Sequence, residues 1–411
     1  ATFNQQLRFA CHFFTFAPMM QKKIFLKPHK SQSIERRHPW IFSGAIQKKE
    51  GNPQEGDIVA VYDQRQRFLG SGHFQEESIS VRILTFKEQE IDAAFWQEKI
   101  QKAWASRRLL GLPSSSTNAF RLVHGEGDGL SGLIVDLYGN TAVIQTHSLG
   151  MYHARHKLAE AIIALPDAGI QQVYLKVHKQ LQSKFPQASD EWLLGKNPGT
   201  LEVKEYDVRF LIDVVEGQKT GFFLDQRENR ALLGSMSKGK KVLNTFAYTG
   251  GFSLFALQGG AQLVHSVDVS ARAMEVCQEN VRLNGYENNQ HQGFTEDTFR
   301  FLAQTEETYD IIVLDPPAFA KHRNARHSAV RGYQKLNAEA LRKLPAGGLL
   351  FTFSCSQVVD TTLFNNTIRA AAIEAGRETK VLYRLSQPAD HPVSIFHPEG
   401  EYLKGLVLEV K

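Results

Sequence analysis

The sequence predicts an α/β protein in three parts: a small β-barrel over residues 20–92, a middle α+β domain over 93–200 and a doubly wound parallel sheet over 201–411. One observation is a pair of short apolar runs, Ile311-Ile312-Val313-Leu314 and Leu349-Leu350-Phe351-Thr352-Phe353, followed at once by Asp315-Pro316-Pro317 and Ser354-Cys355-Ser356. Runs of that length read as strands buried on both faces. A second is the segment between them, where Tyr333, Leu336, Ala340 and Leu344 recur at helical spacing. Strand, helix, strand in one sheet puts both polar motifs at the carboxyl ends of parallel strands, the edge where open α/β sheets bind ligands. The third is that no convincing helical stretch longer than two turns interrupts Lys22 to Asp92.

The elements follow in order. Ala1 to Pro18 is aromatic-rich, carries no acid and precedes Met19-Met20. It lacks the basic start and long aliphatic core of a secretory signal, so 1–19 is set aside as a leader of unknown role. In the barrel, Ile58–Tyr62 follows a Gly56-Asp57 turn, Ser80–Leu84 partly alternates, and Gly70 and Gly72 bracket another turn. From Ala93, Phe95, Ile100, Trp104 and Leu109 share a helical face. Strands near 132–137, 141–146 and 172–176 and a helix near 154–164 complete the middle domain. The last unit opens with a hairpin, Leu201–Glu205 and Val208–Val215. Strands then alternate with helices: Lys241–Leu243, Gly251–Gln258, Leu263–Val269, and a helix capped by Ser270 that stops before Gly285. A final helix starts at Asp360 and ends near Gly376. Such alternation means a doubly wound sheet.

Composition bounds the function. The chain has 411 residues, 42% hydrophobic and 22% charged, as in ordinary globular proteins. No apolar run reaches the ~18 residues that span a bilayer. Cys11, Cys277 and Cys355 make neither a disulfide framework nor zinc spacing, so a reducing, cytoplasmic setting fits. Cys277 shares a helix face with Met274 and Val281 and reads as core. The fifteen histidines show no ligand spacing, and no metal is expected; His391, beside Asp390, is the one to watch. The net charge is +5, yet residues 1–50 carry nine Lys/Arg against two acids. Either a polyanion partner or a solvated lysine-rich hairpin accounts for that.

The first strand of the last unit leads into Thr249-Gly250-Gly251, a turn that allows close approach of a ligand or simply tight packing. It is not G-x-G-x-x-G, so a dinucleotide is not expected. Asp268 ends the second strand, where an acid takes both ribose hydroxyls of an adenosine or caps a helix beside Ser270. Asp297 follows the third, placed for an adenine amino group or as the N-cap of 298–303. Three such positions in order point to an adenosine cofactor held without a phosphate loop, and S-adenosylmethionine fits best.

Lys219-Thr220-Gly221-Phe222-Phe223-Leu224-Asp225-Gln226-Arg227, Phe246–Gly251, Asp315-Pro316-Pro317 and Thr352-Phe353-Ser354-Cys355-Ser356 resemble the RlmI-type bacterial 23S rRNA cytosine-C5 methyltransferases. Arg37-His38-Pro39-Trp40 resembles the opening of that family's PUA domain, Gly125–Leu130 its middle domain, and Asp390-His391-Pro392 with Glu401–Gly405 its tail. The similarity runs over residues 20–411. It implies a PUA-like barrel, a middle α+β domain and a Rossmann-like S-adenosylmethionine-dependent methyltransferase domain, with 23S ribosomal RNA as partner, no membrane, and a homodimer left open. It assigns cofactor binding to Gln226, Phe246, Tyr248, Thr249, Gly250, Asp268, Asp297 and Asp315, and catalysis to Cys355 and Asp315. Related enzymes with two cysteines carry one directly after the Asp-Pro-Pro motif; here that place is Ala318, which leaves Cys355.

Cytosine carbon 5 is a poor nucleophile. A thiolate added at carbon 6 activates it, and loss of the carbon-5 proton later expels the thiol. The site is expected to lower the thiol's pKa from ~8.5. Asp315 is the expected partner for ring nitrogen 3 and the exocyclic amine. Phe319, Tyr333 and Tyr248 are candidates to stack on an extruded base, or else core. Lys321, His322, Arg323, Arg326 and Arg331 are candidates for phosphates, or else an ordinary loop. An amino-group RNA methyltransferase, with its Asp-Pro-Pro-aromatic loop, and a non-catalytic ribosome-assembly protein are the rival readings.

Overall fold

A computed structural model describes residues 22–320 and 323–411. The leader with Cys11, and Lys321, His322 and the Arg323 side chain, lie outside the described residues. Residues up to Gln89 form one compact unit and those from Glu90 another.

The first unit is a six-stranded sheet of β1 (Lys23–Leu26), β2 (Trp40–Phe42), β3 (Ile46–Glu50), β4 (Ile58–Tyr62), β5 (Phe68–Phe74) and β6 (Ile79–Thr85), in the order β2-β6-β5-β4-β1-β3. Ile24, Leu26, Val59, Val61, Phe74 and Val81 fill its core. Gly70 and Gly72 lie inside β5 rather than bracketing a turn. A Cβ on Gly72 would stand 2.0 Å from the Arg82 carbonyl oxygen, so close backbone approach is what requires glycine there.

In the second unit, helix α1 (Ala93–Leu109) starts where Asp92 Oδ1 accepts from Phe95 N at 2.9 Å. It packs against a five-stranded sheet: β7 (Ala119–His124), β8 (Leu133–Tyr138), β9 (Thr141–Thr146), β10 (Gln172–Val177) and β11 (Glu191–Leu194). Then come the hairpin β12 (Leu201–Glu205) and β13 (Val208–Ile212) and helix α2 (Arg227–Ser235).

The last sheet has seven strands, β14 (Lys241–Thr245), β15 (Leu263–Asp268), β16 (His291–Thr295), β17 (Ile311–Leu314), β18 (Leu349–Ser354), β19 (Thr379–Leu385) and β20 (Lys404–Val410), in the order β16-β15-β14-β17-β18-β20-β19. The expectation of a wholly parallel sheet is corrected here. β14 to β18 are parallel, but β20 is antiparallel to both β18 and β19. Helices α3 (Gly251–Gln258), α4 (Ala271–Leu283), α5 (Thr298–Gln304), α6 (Arg326–Lys343) and α7 (Thr361–Ala375) connect the strands. Strand order reverses between β14 and β17, the switch point at which such sheets open a crevice. Among the described residues no helix is long and apolar enough to cross a membrane.

Candidate active site

Three adjacent strands end at one cavity of about 420 Å³. β14 delivers Phe246 and Tyr248, β17 delivers Asp315, and β18 delivers Cys355. Gln226 and Asp268 complete the expected residues that line it. Phe246 (φ 53°) and Tyr248 (φ 48°) are left-handed, a conformation that L side chains adopt at a cost. The turn is held by Tyr248 N, which donates to Asp268 Oδ2 at 2.9 Å, and by Ala247 N, which donates to Val267 O at 3.0 Å. Asp268 Oδ1 accepts from Ser270 N at 2.9 Å, while Ser270 Oγ accepts from Ala273 N. Asp268 therefore braces the turn after β14 as well as facing the cavity.

Thr249, Gly250 and Asp297 are not among the lining residues. Gly250 sits at φ 87°, and a Cβ there would meet Cys277 Sγ at 2.5 Å, so packing against Cys277 is what excludes a side chain. Gly251 is the glycine that lines the cavity. Asp297 is exposed and caps α5, its Oδ1 accepting from Arg300 N at 3.0 Å. Cys277 is buried, as expected of core, and burial pushes its thiol up to about 12. Tyr333 is also core: it is fully buried, with its ring 4.6 Å from that of Phe319. Arg326 faces Asp360 at 3.5 Å, and Arg331 is exposed.

Electrostatics separate the two motif residues. Burial and the nearby Asp225 carboxylate raise Asp315 to about 7, against a hydrogen bond from Gln226. Burial and Asp315 raise the Cys355 thiol as well; Lys219 works the other way. The expected lowering of the thiol is thus not met by these residues alone, because β18 carries Cys355 into an apolar wall beside a carboxyl group. The two motifs are pinned together: Ser356 Oγ donates to Ala320 O at 2.9 Å, and the buried Lys404 Nζ donates to Ser356 O at 2.8 Å.

Sequence reasoning missed the cavity's charged wall of Lys219, Asp225 and Arg230. Arg230 is paired with Glu205 and donates to Phe223 O. Asp225 is buried, with Oδ2 accepting from Tyr402 Oη at 2.7 Å and Oδ1 lacking a protein partner. Charges interspersed with Phe222-Phe223-Leu224 were the available signal, since charges inside an apolar run are buried with a purpose or a partner. The tail motif has a visible job too. Buried Asp390 accepts from Arg227 Nη1 at 2.9 Å and from Arg121 N at 3.0 Å, and a Cβ on Gly127 would stand 1.9 Å from Pro392 O.

Residues 143–396 match the S-adenosylmethionine-dependent methyltransferase family, and residues 24–86 a PUA-like domain. A protein of Alteromonas mediterranea named ribosomal RNA large subunit methyltransferase I is 39% identical over 398 residues, covering 95% of this chain and 99% of that protein. One of the same name from Shewanella denitrificans is 41% identical over 400 residues, covering 95% and 100%. The crystal structure of SMU.776 complexed with SAH superposes with a TM-score of 0.82 at 23% identity, covering 94% of this chain and 99% of that one, a likeness of fold. The cavity suits the cofactor of such a family. Its orphaned Asp225 oxygen offers an acceptor to a cationic group, Asp268 stands at the end of the second strand, and Phe246 and Val269 supply apolar wall.

Proposed function

This chain belongs to the S-adenosylmethionine-dependent methyltransferase family that includes ribosomal RNA large subunit methyltransferase I, and from that premise we propose that it methylates carbon 5 of a cytosine in 23S ribosomal RNA through a covalent Cys355 adduct. The observation that carries this reading is that Asp315 and Cys355 end neighbouring strands and line one cavity together with Phe246, Tyr248 and Asp268. S-adenosylmethionine, when bound, supplies the methyl group. Gln226, Phe246, Tyr248 and Asp268 are the residues we assign to hold it.

Among the described residues Cys355 is the only cysteine on the cavity wall, and its thiolate would attack carbon 6. Asp315, raised to about 7, is able to stay protonated near neutrality and to give nitrogen 3 the hydrogen that relieves the charge of addition. Phe222, Phe223 and Pro316 add apolar wall to the same cavity. The base has to leave its stack to reach this cavity, which favours a flipped or single-stranded cytosine. The PUA-like unit supports an RNA substrate, with exposed Lys27, Lys30 and Arg36 available to phosphates.

The test is nucleoside mass spectrometry of 23S rRNA methylated by the purified protein. 5-Methylcytidine is expected. A base methylated on nitrogen would favour the amino-group reading, and no methylated nucleoside would favour a non-catalytic RNA-binding role.

A further inference from the structure

We propose that Lys219 is the cation that favours ionisation of the Cys355 thiol: the turn over residues 213–221 is built to present its ammonium to the cavity that Cys355 and Asp315 line. This rests on the reading of Cys355 as nucleophile, and it assigns the cation that offsets the burial and the carboxyl groups around the thiol.

The turn is held from three sides. Its own backbone closes twice, Gly217 N donating to Asp213 O at 2.9 Å and Gly221 N to Gln218 O at 2.8 Å. From β10 of the five-stranded sheet, Lys176 Nζ donates to Val214 O at 3.1 Å, Val215 O at 3.0 Å and Gly217 O at 2.6 Å. From the turn after β14, Tyr248 Oη accepts from Gln218 N at 3.0 Å and donates to Gly221 O at 3.4 Å. A Cβ on Gly217 would lie 2.3 Å from Asp213 O, so the winding tolerates no side chain there. Between these restraints Lys219 sits at φ 52°, a left-handed lysine. Strain of that kind persists only where the surroundings impose it, and it gathers at functional sites.

The Lys219 ammonium lies 4.4 Å from the Phe223 ring centroid and 3.3 Å from Asp225 Oδ2. Asp225 does not depend on it alone, because Tyr402 donates to the same oxygen and the Arg121 guanidinium adds positive charge nearby. Arg230, the other cation on the wall, is committed to Glu205 and Phe223 O. Lys219 is therefore the less tightly committed of the two cations on the cavity wall. The groups that face Cys355 from its surroundings are Asp315 from β17, Asp225 from the loop before α2, Tyr333 from α6 and Lys404 from β20, with Lys404 directed at Ser356 O. Asp315 and Asp225 oppose ionisation of the thiol, and Lys219 favours it. In the step itself the thiol proton leaves to solvent, and the thiolate forms in the cavity whose wall carries the Lys219 ammonium.

The experiment uses the full chain and follows alkylation of Cys355 by iodoacetamide from pH 6 to pH 10, read by peptide mass spectrometry, alongside calorimetric binding of S-adenosylhomocysteine. Lys219→Met should move the alkylation profile up by about one pH unit, a roughly tenfold slower reaction at pH 7, while Lys219→Arg stays near wild type. Affinity for S-adenosylhomocysteine should change less than about twofold. Lys219→Gly, which suits a left-handed backbone, carries the same test if the methionine variant does not fold. A wild-type alkylation profile in Lys219→Met or Lys219→Gly overturns the proposal. So does a lost affinity with an unmoved profile, which would give Lys219 to the cofactor. Methyl transfer by Cys355→Ala is read separately: its persistence would sink the nucleophile reading whatever Lys219 does to the thiol.

Discussion

The Tyr402 hydroxyl donates a 2.7 Å hydrogen bond to Asp225 Oδ2 across 177 positions of sequence, so the tail of the chain reaches into the cavity wall. Burial alone would raise the Asp225 carboxyl, but Lys219, His391 and the Tyr402 hydroxyl hold it well below the usual carboxylate range. A hydrogen bond to a buried carboxylate is worth roughly 1.5–3 kcal/mol. Tyr402→Phe should therefore lower stability at pH 7 by about 2 kcal/mol. A depressed folded-state pKa gives stability that is present above the unfolded value of ~4 and lost as pH falls further. The gap between wild type and Tyr402→Phe should accordingly narrow below about pH 4, measured by urea midpoints at several pH values.

Asp268 has two tasks, and one substitution exposes both. Its carboxylate braces Tyr248 N and Ser270 N while facing the cavity. Asp268→Ala should weaken S-adenosylhomocysteine binding at least about tenfold, a loss of ~1.4 kcal/mol or more. Calorimetry checks this, and Asp297→Ala is the control expected to keep its affinity, because Asp297 is exposed and serves α5 as its cap.

The pH profile of methyl transfer should carry the signature of a carboxylic acid that works protonated. Below about 7 Asp315 keeps its proton and the rate rises with pH as the thiol ionises. Above about 7 the acid is lost as fast as thiolate is gained, and the profile flattens, to fall only past the thiol's own pKa. Asp315→Asn has no proton to lose, so its slower rate should climb through pH 7 without a break. Single-turnover rates in matched buffers distinguish the two shapes.

Phosphate contacts in the PUA-like unit predict a change in salt dependence. Lys30 and Arg36 are exposed there. Each phosphate contact contributes about 0.7–0.9 to the slope of log affinity against log salt. The double variant Lys30→Ala, Arg36→Ala should lower that slope by up to about 2 and leave cofactor affinity intact. Fluorescence anisotropy with an rRNA fragment at several salt concentrations measures both the slope and the affinity.

Much of this was legible in the sequence because local and global signals agreed. The apolar runs before Asp315 and Ser354 had to be central strands, and Ser270 and Asp360 cap the helices they precede. What escaped was set by contacts remote in sequence. The antiparallel return of β20 depends on its register against β18, Ser354 opposite Lys404, which no local pattern encodes. Gly250 looked like a ligand-facing glycine because the residue that demands it, Cys277, lies on another helix. Asp225 and Lys219 carry no periodicity at all; Lys219 is placed by a loop wound between β10 and the turn after β14, and Asp225 by Tyr402 from the tail.

The covalent step offers the sharpest test. Cys355 is half-buried at the end of β18, on the same wall as Asp315, and its turn is fixed by Ser356 to Ala320 O. Cys355→Ala removes one sulfur from a site whose neighbours are held by other bonds, so the variant should fold and bind S-adenosylhomocysteine and RNA. It should transfer no methyl group. An RNA with 5-fluorocytosine at the target position should trap the wild-type protein as a stable adduct, because fluorine leaves no proton on carbon 5 to depart and the thiol cannot be expelled. Denaturing gel electrophoresis reads the adduct directly. Cys355→Ala should give none, while Cys277→Ala, altered at a buried thiol away from the cavity, should still be trapped. An adduct with Cys355→Ala would assign the attack to another residue, and near-normal methylation without any adduct would turn the chemistry toward a base nitrogen.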